Sequence, residues 1–106
     1  MAVVDITIKQ NSAGTGCTVS PSGAKLKNGR DDVRWSNETG DKVVVFMPHD
    51  GVLGDDDHFH QTIQDTKKHQ RTGPSSGTTK GGYKYAIFCH ATGTFATGSD
   101  PEIIVQ

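Results

Sequence analysis

A cysteine and a histidine close the segment YKYAIFCH, residues 83–90, where an alternating strand gives way to a turn. A thiolate and an imidazole at the end of a strand are ligands that a small β-protein can offer to copper or zinc. Cys89 and His90 are adjacent, however, and neighbours on an extended strand point to opposite faces. The two side chains could share a metal only if the chain turns sharply between them.

A second group of possible ligands lies in MPHDGVLGDDDHFH, residues 47–60. Imidazoles and carboxylates suit zinc, nickel or copper(II), whereas a run of aspartates could suit calcium. His58 and His60 share a face if Phe59 begins a strand. No spacing here is diagnostic and the EF-hand pattern is absent, so an acidic turn with exposed histidines is the alternative interpretation. The candidate ligands are His49, Asp50, Asp55, Asp56, Asp57, His58 and His60.

The two groups of ligands are expected to lie far apart. A strand rises about 3.3 Å per residue, so Lys42 and His49 should be on the order of 20 Å apart if residues 42–47 form a strand. One metal ion is therefore not expected to bridge His49 and His90.

Patterns that indicate catalysis are scarce. The sequence contains no P-loop and no paired carboxylates on a common face. Cys89 and His90 could act as a thiol nucleophile and its base, but a thiolate needs an accessible, electropositive setting. A disulfide would remove the thiolate altogether. We therefore expect a protein that is not an enzyme.

The composition limits the size and class of the protein. Its 106 residues, 32% of them apolar, suit one domain that spans residues 1–106. A net charge of −1 gives no global attraction to nucleic acid or to an anionic membrane. No apolar run approaches the roughly 18 residues that predict a membrane span.

Apolar and polar residues alternate with period two in several segments, as in Val4, Ile6 and Ile8. Residues 42–47 instead form a continuous valine-rich run, which is typical of a strand covered on both faces. Turn clusters rich in Gly, Asn and Asp separate these segments. The pattern predicts an all-β sandwich or barrel without a helix longer than a turn or two.

Residues 65–82, DTKKHQRTGPSSGTTKGG, contain no apolar residue and no usable period, which predicts a mobile loop. The segment carries four cations and one acid, so phosphates or an acidic partner are one interpretation and a solvated loop is the other. No aromatic residue is interleaved to stack on bases, so we do not expect nucleic acid as a partner. The charged residues are Asp65, Lys67, Lys68, Arg71 and Lys80.

The order of segments resembles the cupredoxin-like family, of the plastocyanin and azurin type. The matching pieces are CTVSPSGAKLKNGRDDVRWSN at 17–37, VVVFMP at 43–48 and GGYKYAIFCHATGTF at 81–95, followed by SDPEIIV. The Y-x-Y-x and W-x-N patterns are the most recognisable parts. The resemblance implies a Greek-key sandwich of about seven strands, with a copper site at one end in the active members.

A blue-copper centre uses two imidazoles, one thiolate and a weak axial ligand. When this sequence is aligned with the family pattern, the position of the first histidine ligand falls on Lys42 and the position of the cysteine ligand falls on Ile87. The axial position falls near Phe95, and only the second histidine, His90, is retained. The resemblance therefore implies a member with a degenerate copper site.

Cys17 and Cys89 are the only cysteines. Two distant thiols in a small chain suit one disulfide in an oxidising compartment, with two buried reduced thiols as the alternative. A bridge across so long a loop would stabilise the fold by about 4 kcal/mol. No signal peptide is visible, so a periplasmic or extracellular location requires that a leader has been removed, and a cytoplasmic location stays open.

These observations together predict a non-catalytic cupredoxin-like module without a complete copper site and without a cofactor. Its expected partner is a protein or small ligand, contacted through end loops. The alternative is a copper-binding or zinc-binding protein, or an electron-transfer protein, that uses His90 or the group His49, His58 and His60.

Overall fold

The structure is a computed structural model that describes residues 2–54, 57–97 and 101–106. The described residues form eleven short strands and no helix, whereas the family resemblance implies about seven strands. None of them forms a helix that could span a membrane. The strands are β1 (Ala2–Gln10), β2 (Cys17–Ser20), β3 (Gly23–Leu26), β4 (Asp31–Glu38), β5 (Val43–Met47), β6 (Phe59–Ile63), β7 (Lys68–Arg71), β8 (Gly81–Lys84), β9 (Ala86–Cys89), β10 (Thr94–Phe95) and β11 (Glu102–Val105).

The strands pair in three sheets. The first sheet has the order β2-β1-β4-β7, the second β10-β9-β5-β6 and the third β3-β11-β8. β1 pairs in parallel with β4, and β11 in parallel with β3, so their connections must cross over rather than form hairpins. β8 and β9 follow each other in sequence but lie in different sheets, because the chain leaves the third sheet at Tyr85. This division is one reason why the structure has more strands than expected.

The inward side chains of all three sheets meet in one core, which confirms the predicted all-β sandwich. In β4, Val33 and Trp35 are fully buried whereas Arg34 between them is not. Burying an aliphatic or aromatic side chain of this size stabilises a fold by roughly 1.5–3 kcal/mol. The largest fully buried side chains are Trp35, Ile6, Ile8, Leu26, Met47, Leu53, Ile87, Ile103, Val33, Val43, Val45 and Val52.

Strand β5 is not covered on both faces, so that prediction was wrong. Val43, Val45 and Met47 are buried, but Phe46 is 39% exposed and Val44 is half-buried. The alternation of buried and exposed side chains along β5 is not visible in the sequence, because the outward positions are also apolar. The outer face of the second sheet is therefore open at its centre.

The prediction of a loop over residues 65–82 was wrong where the segment forms strands. β7 pairs with β4 and places His69 opposite Trp35, and residues 81 and 82 belong to β8. The guanidinium carbon of Arg71 lies 3.6 Å from the centroid of the Phe59 ring, a cation–π contact. Backbone pairing and this contact hold the segment, although it contains no apolar side chain.

Trp35 and Tyr85 connect β4 to the turn between β8 and β9. The Trp35 Nε1–H donates to the Tyr85 hydroxyl at 3.2 Å, and the two rings meet edge to face with centroids 5.8 Å apart. Burial raises the pKa of Tyr85 to about 12, so its hydroxyl stays neutral in the core. Tyr85 is therefore an inward residue whose hydroxyl has a polar partner.

Replacing Tyr85 by Phe should lower the free energy of unfolding by about 1–3 kcal/mol, because it leaves the buried indole N–H of Trp35 without its acceptor. The matched control is Tyr83→Phe, since the Tyr83 hydroxyl donates to the Thr79 carbonyl at an exposed position. We expect this control to change stability by less than about 0.5 kcal/mol. Urea unfolding measures both variants, and equal losses would contradict the assignment.

Candidate functional site

The candidate site is the end of the sandwich at which β9 finishes. Val43, the first residue of β5, pairs with Cys89, the last residue of β9. One residue further, the backbone amide of His90 donates to the carbonyl of Lys42 at 3.2 Å. The antiparallel pairing of β5 and β9 therefore brings Lys42, Cys89 and His90 to one end of the second sheet.

Cys89 is bonded to Cys17, 72 residues earlier in the sequence, which confirms the predicted disulfide. Both residues are fully buried. The carbonyl of Cys17 also accepts a hydrogen bond of 2.9 Å from the backbone amide of Thr97, which holds the chain after β10 against β2. A thiolate is the form of cysteine that binds a metal or attacks a substrate, and a disulfide has none.

His90 lies on the opposite side of the strand from the disulfide, as expected for neighbouring residues. Its side chain is exposed, and its ring meets the Phe88 ring edge to face with centroids 5.0 Å apart. The chain therefore does not turn so as to aim Cys89 and His90 at one point.

The three positions assigned to replaced copper ligands lie in different surroundings. Lys42 is exposed, Ile87 is only 1% exposed in the core opposite Val45, and Phe95 is 55% exposed on the outer face of the second sheet. Among the inward residues of β9, Cys89 rather than Ile87 is the one at the strand end. Their interpretation as former ligand positions stays a prediction.

Two histidines of the second predicted group contact different partners. His49 Nε2 lies 3.0 Å from the carbonyl oxygen of Lys84, and its ring packs edge to face on Tyr83 with centroids 5.5 Å apart. The ring of His60, on β6, lies beside Phe46 with centroids 6.3 Å apart. Within residues 2–54, 57–97 and 101–106, no three His, Cys, Asp or Glu side chains are grouped as ligands for a metal ion.

His58, the third histidine of that group, is paired with Asp50. The carboxylate Oδ1 of Asp50 accepts from the backbone amide of His58 at 2.6 Å and lies 2.8 Å from its ring Nδ1. These hydrogen bonds lower the pKa of Asp50. The bond to Asp50 and its negative charge raise the pKa of His58, with a smaller contribution from Asp57. Asp55 and Asp56 lie outside the described residues.

The pairing predicts a pH dependence. The stabilisation from a raised pKa of His58 is fully present below the ordinary histidine value of 6.5 and is lost as the pH rises through the folded value. Asp50→Asn should move the pKa of His58 back towards 6.5, as followed by NMR titration of the ring protons. Asp57→Asn is the matched control and should cause a smaller shift. A His58 pKa that is unchanged in Asp50→Asn would contradict the pairing.

Asn37 organises the turn that leads to Lys42, although the sequence indicated it only as the last letter of W-x-N. The residue is 1% exposed. Its Nδ2 donates to the carbonyls of Asp41 and Ile63 at 2.7 and 2.9 Å. Its Oδ1 accepts from the backbone amide and the hydroxyl of Thr39 at 3.0 and 2.8 Å. Every donor and lone pair of the side-chain amide is used, so Asn37 ties the turn before β5 to the end of β6.

Asn37→Ala should lower the free energy of unfolding by about 3 kcal/mol or more, because several buried groups lose their partners at once. The matched control is Asn11→Ala, since the Asn11 side chain also binds a nearby threonine, Thr15, but at an exposed site. We expect the control to cost less than about 1 kcal/mol. Similar midpoints for the two variants in urea unfolding would contradict the role given to Asn37.

Solved structures with the same fold include amicyanin and a purple cupredoxin. The Cu(I) form of an amicyanin mutant matches with a TM-score of 0.59 and 17% identity over 96% of this chain and 82% of that chain. The purple cupredoxin from Nitrosopumilus maritimus matches with a TM-score of 0.60 and 15% identity over 97% of this chain and 99% of that chain. No family model and no curated protein matches the sequence. The chain has a cupredoxin-like fold, as the resemblance predicted.

Proposed function

We propose that this domain works without a type 1 copper centre, as a non-catalytic binding or structural module. The observation that carries the proposal is the buried bond between Cys17 and Cys89. A type 1 centre requires a cysteine thiolate beside two imidazoles. Both sulfurs of this chain are instead bonded to each other, so the residues at the end of β9 do not fit the metal.

The charge at this end of the sheet supports the same proposal. Lys42 is the residue whose carbonyl pairs with His90, and it carries an ammonium group where the family pattern has an imidazole. A bound cation would meet a positive charge there instead of a lone pair. His90 alone offers one ligand, which is too few for a stable site.

The disulfide also supports an oxidising location. Structural disulfides persist in the periplasm and outside the cell and are rare in the cytosol, where thiols are kept reduced. We therefore place this domain in the periplasm or outside the cell.

The matching amicyanin structure is a Cu(I) form, whereas the described residues at the end of β9 offer that ion no thiolate.

Copper(II) added to the purified domain should give no intense thiolate-to-copper absorption band. The expectation follows from the bonded sulfurs, and optical titration with parallel calorimetry measures it. A strong band in the native protein would remove the proposal. Zinc binding that disappears in the His58→Ala/His60→Ala double variant would instead favour the alternative function of a metal-binding protein.

Two single variants separate the effect of the disulfide from that of the other residues. Cys17→Ala frees the thiol of Cys89, which precedes His90 in the sequence, and Cys89→Ala frees the Cys17 thiol as the matched control. We expect no blue-copper band in either variant, because Lys42 replaces one imidazole. A band that appears only in Cys17→Ala would mean that the disulfide alone blocks a copper site. Trp35 fluorescence reports whether each variant is folded.

A further inference from the structure

Strand β6 forms one edge of the second sheet, since it comes last in the strand order and pairs with β5. None of its five residues, Phe59–Ile63, is charged or a proline. Its register with β5 is continuous from Val43 to Met47, so no bulge interrupts it. Proteins usually protect an edge strand with lysine, proline, a bulge or a covering segment, because its unpaired backbone groups can pair with another chain.

The backbone groups of His60 and Thr62 are the ones that point away from β5. The amide of His90 donates to the carbonyl of Lys42, so the even-numbered residues of β5 face β9. The odd-numbered residues of β5 therefore pair with the odd-numbered residues of β6, and the even-numbered residues of β6 face outward. The Gln61 side chain donates to the Thr62 carbonyl at 3.0 Å, which agrees with a carbonyl on the open side of the strand.

The open part of this edge is short and well defined. His60 and Thr62 are both exposed. Within residues 2–54, 57–97 and 101–106, nothing forms a hydrogen bond with the N–H or C=O of His60 or with the N–H of Thr62. Before the open part, the amide of His58 donates to Asp50 at 2.6 Å, and after it the carbonyl of Gln64 accepts from the next turn at 3.1 Å.

The other sheet edges of the described chain are better protected. β7, at the edge of the first sheet, begins with Lys68. β3 and β8, the edges of the third sheet, contain Lys25 and Lys84, and β10 has only two residues. At β2 the carbonyl of Cys17 accepts from the amide of Thr97, so the segment after β10 covers part of that edge. Among the described edge strands, β6 is therefore the longest and the least protected.

We propose that β6 pairs antiparallel with β6 of a second copy of this chain, around a two-fold axis at Gln61. In this register His60 of each copy lies opposite Thr62 of the other, and each of these two pairs exchanges two N–H···O=C bonds. An axis at His60 would instead place Thr62 opposite His58, whose amide is already bound. An axis at Thr62 would place His60 opposite Gln64, whose carbonyl is already bound. This interface goes beyond the proposed function and does not depend on it.

The side chains of β6 also suit a pairing of the strand with itself. Phe59 lies opposite Ile63 of the second copy, and an aromatic residue opposite a β-branched one is a favourable cross-strand pair. His60 lies opposite Thr62, and Gln61 lies opposite its own copy, so no two like charges meet within the five positions. A second copy therefore matches both the backbone and the side chains of the edge. The two second sheets would join into one sheet of eight strands.

The charged groups near the edge lie outside the paired positions. Asp57 precedes the strand by two residues, and Asp50 is paired with His58 at 2.8 Å. Beyond the other end of β6, Asp65 accepts from the backbone amide of Gly40 at 3.0 Å and so points back to its own copy. We therefore expect the association to change little with added salt.

The test follows the isotope-labelled intact chain by NMR and by sedimentation equilibrium, from about 0.02 to 1 mM. A contact of five residues a side is small beside the interfaces of stable dimers, so we expect a dissociation constant on the order of 0.1–1 mM. The amide signals of His60 and Thr62 should shift with protein concentration, and their hydrogen exchange should slow by about twofold at the top of the range. The amides of Lys68 and Gln70, on the edge strand β7, are the internal control and should not change.

Matched variants locate the interface. Thr62→Pro removes an outward N–H and leaves the bonds to β5 in place, so it should weaken self-association at least about tenfold. Gln70→Pro on β7 is the control. Its N–H also points outward, because the carbonyl of Lys67, an odd-numbered residue, accepts from the amide of Asn37 on β4. This control should leave association unchanged. Thr62→Lys should weaken association without a change of backbone, and Trp35 fluorescence reports whether each variant is folded.

Three results would overturn the inference. The first is a chain that stays monomeric at about 1 mM, with His60 and Thr62 amide signals that do not depend on concentration. The second is self-association that persists unchanged in both Thr62 variants. The third is self-association that Phe95→Ser abolishes and Thr62→Lys does not, which would assign the contact to the exposed rings of the outer face. None of these measurements involves copper, so the proposed function fails or stands separately.

Discussion

The disulfide between Cys17 and Cys89 is the constraint on which the rest of this structure depends. It joins the first residue of β2 to the last residue of β9, and so links the first sheet to the second. Because 72 residues separate the two cysteines, the chain-entropy model assigns the cross-link about 4 kcal/mol of stabilisation. Only 32% of the chain is apolar, so a contribution of this size is a large share of the few kcal/mol by which a small domain is stable. The sulfur at the end of β9 is therefore part of a structural bond and is not a free thiolate.

Strand β4 connects the core to the strands on either side of the disulfide. Its inward residues Val33 and Trp35 pack in the core, and Trp35 is also hydrogen-bonded to Tyr85 at the junction of β8 and β9. Two residues later, Asn37 ties the turn before β5 to the end of β6 through the carbonyl of Ile63. One strand thus fixes where β5 and β9 begin. The disulfide fixes where β9 ends, and the position of the second sheet follows from both.

The sequence predicts these features to different extents for physical reasons. Period-two alternation in β1 and β4 reports burial directly, and two cysteines allow only one intramolecular bridge, so the sandwich and the disulfide are predictable. The strand β7 is not, because backbone pairing and the Arg71 contact with Phe59 leave no apolar pattern in its own residues. The exposure of the outer face of β5 is not predictable for the opposite reason, because valine and phenylalanine occupy its outward positions. Of the four hydrogen bonds of Asn37, those to Thr39 and Asp41 are local, whereas the bond to the carbonyl of Ile63 spans 26 positions and follows from no local motif.

The same arrangement positions the outer face of the second sheet, which carries Phe46 and Phe88. The residues next to its rings in β5 and β9, namely Val43, Val45, Ile87 and Cys89, point inward and are held by the core and the disulfide. A strand cannot rotate its outward side chains without moving the inward ones, because the two sets alternate along one backbone. Phe46 and Phe88 are therefore positioned by the packing behind them. Side chains that are fixed in this way lose less conformational freedom on contact with another molecule than the side chains of a loop do.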